Sequence, residues 1–175
     1  EVILVDDGSM DNSGVICDKY AQTYSNITVY HKNNTGVSDT RNFGIEKANY
    51  KYIAFIDADD FWEDDFLSEI VYLINKYPYC GMFSTNFKKV GKERTFLNES
   101  GVEGDCFIEN YFKHSLKYCI VNSSNVVIKK DLLIKVGGFP VGMIDAEDLC
   151  TWVKIASLTG CAFSNKYLSN YNISA

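Results

Sequence analysis

Short apolar runs alternate with helix-like segments through the first 76 residues, and that alternation constrains the fold more than any other feature. Glu1 to Val5, Ile27 to His31 and Tyr52 to Ile56 are such runs, rich in β-branched and aromatic residues. With little polar alternation, Glu1 to Val5 and Tyr52 to Ile56 read as strands buried on both faces, the habit of parallel sheets, and Ile27 to His31 as a second strand between them. Between them, about Ser13 to Tyr24 predicts a helix with Val15, Ile16, Tyr20 and Ala21 on one side. Val37 to Ala48 predicts a second. A third, near Asp64 to Lys76, carries Phe66, Ile70, Leu73 and Ile74 at helical spacing and stops before Pro78. A β-α-β-α-β-α order implies a Rossmann-like α/β/α sandwich around a mainly parallel mixed sheet.

The second half is less regular. Cys80 to Phe87 and Asn125 to Lys129 predict strands, and Gly137-Gly138-Phe139-Pro140 a turn. Asp145 to Leu158 predicts a helix with Leu149, Trp152, Val153 and Ala156 toward the core and Asp145 as its cap. Neither a repeat nor an interdomain linker is visible, and 175 residues suit one domain.

Charge and cysteine usage narrow the function. Seventeen Lys+Arg stand against 23 Asp+Glu, a formal −6, which argues against sequence-independent nucleic-acid binding. No apolar run approaches the ~20 residues of a bilayer span. The six cysteines, Cys17, Cys80, Cys106, Cys119, Cys150 and Cys161, are scattered without a C-x-x-C pair and read as reduced, mostly buried thiols of a cytoplasmic protein. His31 and His114 are the only histidines, which leaves little material for a His-rich metal site or a Ser-His-Asp triad.

The chemistry gathers where strands end. Asp6-Asp7 follows the first strand and Asp57-Ala58-Asp59-Asp60 the third. Open α/β sheets bind ligands at the carboxyl ends of their strands, and alternating acids on such a loop can aim two carboxylates at one hard cation. The plainer alternative is that these acids cap the following helices. An EF-hand loop is excluded because Phe61 and Trp62 fall where an acid or amide and then Gly are needed. An aspartyl-nucleophile phosphatase also carries D-x-D after a strand, and it stays open as a weaker alternative. P-loop and dinucleotide fingerprints are absent.

Taken in order, several motifs resemble family 2 glycosyltransferases. They are Val5-Asp6-Asp7-Gly8-Ser9 with Asp11-Asn12-Ser13, Asn34-Thr35-Gly36 leading to Thr40-Arg41-Asn42-Phe43-Gly44, and Ile56-Asp57-Ala58-Asp59-Asp60. Ser124-Asn125-Val126-Val127-Ile128, Val136-Gly137-Gly138-Phe139, and Glu147-Asp148 with Trp152 continue the series. The resemblance implies a GT-A fold, a nucleotide-sugar donor and transfer with inversion by direct displacement. It implies that Asp7, with Asp6 beside it, binds the donor base and that Arg41 lies near the nucleotide. Asp57 would meet the ribose, and Asp59, with Asp57 or Asp60 sharing the work, would ligate Mg²⁺ or Mn²⁺. Asp148 would be the general base, with Glu147 beside it. Acids at a helix start also suit the dipole, and both roles can coexist. Trp62, after the D-x-D, is a candidate substrate contact, whereas Phe55, Phe66 and Tyr72 lie at core spacing.

The resemblance further implies an earlier strand and helix, so the chain reads as one glycosyltransferase domain incomplete at its start and end. Without the membrane helices or Q-x-x-R-W motif of processive synthases, it fits a non-processive enzyme adding one sugar to a glycan or lipid-linked acceptor in cell-surface polysaccharide synthesis. It would act in the cytoplasm, with peripheral association at the membrane face. The alternative to an enzyme is a non-catalytic nucleotide-sugar-binding fragment.

Overall fold

The computed structural model describes residues 1–174. In chain order the elements are β1 (Val2–Asp6), α1 (Ser13–Thr23), β2 (Ile27–His31), α2 (Val37–Lys47), β3 (Tyr52–Ala54), β4 (Phe61–Trp62) and α3 (Phe66–Lys76). Then follow β5 (Met82–Val90), β6 (Thr95–Leu97), β7 (Asp105–Ile108), α4 (Tyr111–Ser115), β8 (Val126–Lys129), α5 (Lys130–Lys135), α6 (Glu147–Ala156) and β9 (Cys161–Asn172). The helices and strands expected in the first 76 residues all form, with ends shifted by a few residues.

The strands make two sheets. β1 and β2 pair in parallel as one, and β3-β8-β5-β9-β4 run side by side in the other, with β6 on β5 and β7 on β9. Within the larger sheet only β5 and β9 are parallel. The α/β architecture is as expected and the sheet is mixed, but its pairings are mostly antiparallel rather than mainly parallel. The physical reason lies in the connections. Parallel neighbours need a crossover of a dozen or more residues, and the β-α-β alternation that supplies it stops at α3. β5 instead returns directly through a turn at Gly91–Arg94 into β6, as antiparallel strands can.

Period-two alternation divides the core of the larger sheet. Met82, Val126, Ile128, Cys161 and Phe163 point to one face, where Ile45, Phe55, Leu133, Phe139, Trp152 and Ile155 cover them. Phe83, Val127 and Ala162 point to the other, under Phe66, Ile70 and Leu73 of α3. Trp152 is fully buried, with its ring 5.4 Å from that of Phe139 and 6.1 Å from that of Phe55. These strands are the ones buried on both faces. β1 is not: its residues are half-buried and Val2 is exposed.

Other expectations about packing need correction. Val15, Ile16 and Tyr20 of α1 are exposed, because the helix turns its small residues, Gly14 and Cys17 with Ala21, toward the β1–β2 pair. Leu149 and Tyr72 are exposed too, while Phe55 and Phe66 are core. All six cysteines are free thiols, yet only Cys80 and Cys161 are buried. Among the described residues, no helix is long and apolar enough to cross a membrane.

Trp152 anchors α6 beneath the loops that carry the acids. Trp152→Ala is expected to cost about 3–5 kcal/mol, the range for emptying a buried aromatic site. Chemical denaturation with an unchanged m-value checks this, since a changed m-value would mean a looser native state.

Candidate active site

Arg41 ties two distant parts of the sequence together. It lies on α2, whose first turn follows the Asn34-Thr35-Gly36 bend, and its side chain is only 11% exposed. Nη2 donates to Asp57 Oδ1 at 2.8 Å, and Nη1 to Glu147 Oε1 at 2.9 Å. Its guanidinium carbon also lies 5.2 Å from the centre of the Phe139 ring. The D-x-D loop and the start of α6 are thus clamped to one planar cation, whose fork geometry suits two carboxylates at once.

One residue along, Asn42 holds the same loop by its backbone. Phe139 N–H donates to Asn42 Oδ1 at 2.7 Å, and Asn42 Nδ2 donates to Phe139 O at 2.8 Å. Gly138, at φ +67°, passes so close that a Cβ would strike the Asn42 amide, so glycine is required for both conformation and contact.

The D-x-D acids have distinct surroundings. Asp57 keeps Oδ2 clear of Arg41, and its N–H donates to Ser124 Oγ at 3.0 Å. Asp59 is exposed and accepts no hydrogen bond among the described residues. Asp60 is nearly buried. Its Oδ1 accepts the Asn172 N–H at 2.7 Å, while Oδ2 has no partner among the described residues. Burial pushes the Asp60 carboxyl up, only partly offset by hydrogen bonds.

Asp6 and Asp7 do different work at the end of β1. Asp7 Oδ1 accepts from Lys32 Nζ at 2.5 Å and from Thr35 N–H at 3.0 Å, and Oδ2 accepts from Gly36 N–H at 2.9 Å. Burial opposes its ionisation, but the ammonium and the backbone donors outweigh it and lower its pKa to about 2. Asp6 accepts from Ser9 N–H and stands 2.9 Å from His31 Nδ1, while His31 Nε2 is 3.0 Å from Asp18. With both ring nitrogens facing carboxylates, first Asp18 and then Asp6, the His31 pKa is raised.

At the start of α6 the expected Asp145 cap does not form. Ala146 takes that position at φ 60°, ψ 23°, the one non-glycine residue with positive φ among the described residues. A left-handed alanine costs about 1–2 kcal/mol, and it holds Glu147 toward Arg41. Asp148 has no cation beside it among the described residues: its Oδ1 accepts the Leu149 N–H at 2.6 Å, and its Oδ2 is 3.5 Å from Ser123 Oγ. Trp62 is built into the frame rather than left free: its Nε1–H donates to Ser124 O at 2.6 Å and its ring stacks on Phe66 at 4.3 Å.

Most of the expected site residues therefore converge. Arg41 joins Asp57 directly to Glu147, with Asp148 next in sequence and Asp59 and Asp60 on the same loop as Asp57. Asp7 shares the Asn33–Thr40 surroundings that lead into Arg41, while Asp6 faces the other way, to His31. Sequence reasoning missed Lys32, His31, Ser123, Ser124 and Asn172. Only the Ser124-Asn125 pair carried any motif signal. Among the described residues no three His, Cys, Asp or Glu side chains gather to hold a metal unaided. Two clefts of about 520 and 570 Å³ lie elsewhere, beside α3 and around α4.

Paired acids at strand ends, an Arg-linked D-x-D and an acidic helix start thus sit on an α/β sandwich, and comparisons with known proteins give its family. The sequence model of glycosyl transferase family 2 matches residues 1–137. The chain belongs to that family. An uncharacterised glycosyltransferase of Rickettsia conorii is 30% identical over 99% of this chain and 28% of its own length. The minor teichoic acid biosynthesis protein GgaB of Bacillus subtilis is 51% identical across 34% of this chain and 7% of its own length. The chain spans about a quarter of the first curated relatives it matches. Among solved structures, S. aureus TarS 1–349 in complex with UDP-GlcNAc overlays with a TM-score of 0.81, covering all of this chain and 50% of that one at 23% identity. The mannosyltransferase PcManGT of Pyrobaculum calidifontis, with GDP-Man and Mn²⁺, gives 0.67 at 22% identity over 95% of this chain and 45% of that one. At these identities the likeness is one of GT-A fold.

Two outcomes follow from this geometry. Arg41→Met is expected to lower stability by about 1–3 kcal/mol, less than a fully buried pair because Asp57 is partly exposed, and urea denaturation checks it. Asp7 has a pKa depressed from 3.8 to about 2, so its stabilisation is full above about pH 4 and is lost as pH falls toward about 2. Asp7→Asn should therefore flatten the fall in stability over that acid range.

Proposed function

We propose that this chain carries the catalytic site of a metal-dependent, inverting hexosyltransferase. It would move one sugar from a nucleoside-diphosphate sugar, UDP-linked by preference, to a hydroxyl of a glycan or lipid-linked acceptor in cell-surface polysaccharide synthesis. The observation that carries this reading is the Arg41 bridge between Asp57 and Glu147. It brings a diphosphate-side loop and an acceptor-side carboxylate pair to one place, as a single displacement requires.

The roles follow from how each carboxylate is occupied. Glu147 is committed to Arg41 and only 14% exposed, so it acts as a positioning residue. Among the described residues Asp148 has no cationic partner, and it can take the proton of the acceptor hydroxyl as that oxygen attacks the anomeric carbon. No enzyme nucleophile is needed, because one displacement inverts the centre. Asp7, ionised and held by Lys32, Thr35 and Gly36, has one lone-pair direction on Oδ2 left for a base N–H.

The donor set fits a hard divalent cation: Asp59 has no partner among the described residues and Asp57 has one oxygen clear of Arg41, so these two carboxylates would hold Mg²⁺ or Mn²⁺. Such an ion would neutralise the charge that grows on the departing diphosphate. Asp60, buried and tied to Asn172, holds the loop rather than the ion. The PcManGT complex with Mn²⁺ and the TarS complex with UDP-GlcNAc support the metal and the donor class. GgaB, named for minor teichoic acid biosynthesis, supports the cell-surface polymer context, a role that would place the enzyme at the cytoplasmic membrane face.

Calorimetric titration of UDP with and without Mn²⁺ tests the reading. Binding should require metal, and Asp59→Ala should weaken it about tenfold or more. Asp148→Asn should keep UDP binding and cut sugar transfer by about 10²–10⁴. Metal-dependent binding with no transfer by the full-length protein, across a donor and acceptor screen, would leave a non-catalytic binder. Failure to bind UDP, GDP and dTDP alike would overturn the transferase reading.

A further inference from the structure

The last strand brings an aromatic side chain beside the D-x-D loop, outside the residues that the family model matches. Alternation along β9 puts Ser169 and Tyr171 on one face of the strand. Ser169 Oγ donates to Ser124 O at 2.8 Å, and Ser124 Oγ accepts the Asp57 N–H, so this face abuts the D-x-D loop. The next residue, Asn172, donates its N–H to Asp60, which pins the strand end beside the same loop. Tyr171 itself packs edge-on against Phe87, with ring centres 6.5 Å apart, and is 40% exposed.

The surrounding charges agree with this location. Burial, followed by the carboxylates of Asp60, Asp57, Asp59 and Asp148, pushes the Tyr171 phenol up. One hydroxyl thus feels both the D-x-D acids and the acceptor-side acid, and it stays a neutral hydrogen-bond donor. Tyr presents an apolar ring and a polar tip together. A sugar presents C–H faces and hydroxyls in the same arrangement. Trp62, the aromatic residue singled out by its sequence position, is already consumed by Ser124 and Phe66.

We propose that Tyr171 is an acceptor-binding residue, its exposed ring forming the platform on which the acceptor saccharide lies while its hydroxyl is presented to Asp148. This rests on the transferase reading above and adds the element that sets which sugar ring is accepted. The acceptor is assigned, rather than the nucleotide base, because Ser123, adjacent to the Ser124 that Ser169 holds, contacts Asp148, whereas Asp7 is held by Lys32, Thr35 and Gly36 at the end of β1.

Saturation-transfer NMR on the full-length protein with UDP and Mn²⁺ tests it, using methyl glycosides of glucose, galactose and N-acetylglucosamine as probes. At least one glycoside should bind. Tyr171→Leu, which keeps apolar volume against Phe87, and Tyr171→Ala should weaken it by about tenfold, and Tyr171→Phe should largely restore it. UDP affinity should stay within about twofold throughout. Unchanged glycoside binding in Tyr171→Leu, a parallel loss of UDP affinity, or a wild type that binds UDP but none of the glycosides would overturn the Tyr171 assignment alone. A wild type that binds no nucleotide would overturn the transferase reading with it.

Discussion

A single guanidinium carries the architecture of the site. Arg41 is nearly buried, and an uncompensated charge in that position would be costly. It is compensated by Asp57 and Glu147, residues 16 and 106 positions away in the chain. Everything that fixes those two acids follows from the need to satisfy this cation. Asn42 locks the Phe139 backbone, Gly138 permits the close approach, and Ala146 accepts a left-handed backbone at the start of α6. Strain at that alanine is a local cost offset by the surrounding contacts, a pattern common at functional sites.

A second layer of neutral hydrogen bonds holds the clamp in register. Ser124 receives the Asp57 N–H on its hydroxyl, and its carbonyl accepts from both Trp62 and Ser169. Asn122 and Asn125 close that turn on themselves, and Asn125 reaches across to Thr85 of β5. The loop before β8 thus links the D-x-D, the Asp148 neighbourhood and the end of β9. Each link is a modest bond of about 1 kcal/mol, but a buried network of them favours one arrangement.

Much of this was legible along the chain where structure is local. Continuous apolar runs and helical spacing located the first six expected elements, because burial on a sheet face and on a helix stripe leave different periods. The irregular second half was harder. β6, β7, α4 and α5 are short and depend on tertiary partners, so propensity alone does not reveal them. β9, the 12-residue strand at the heart of the larger sheet, mixes buried Ser and Asn with aromatics and lacks the apolar signature of a core strand. Its buried polar residues are satisfied by distant groups such as Ser124 and Glu69, which no periodicity records.

The amino-acid sequence by itself determined the α/β class, the order of the motifs, and the residue types on which the proposed nucleotide-sugar site rests: acids after strands, an Arg on a helix, and an acid pair at a helix start. These are matters of local spacing and of chemistry that only a few side chains supply. Only the tertiary structure decided how those side chains divide the work. Glu147 faces Arg41 while Asp148 does not; Asp60 is buried on Asn172 while Asp59 is exposed; Trp62 is spent on packing while Tyr171 remains open. Such distinctions depend on burial and on partners contributed from far along the chain, and the fold alone sets both.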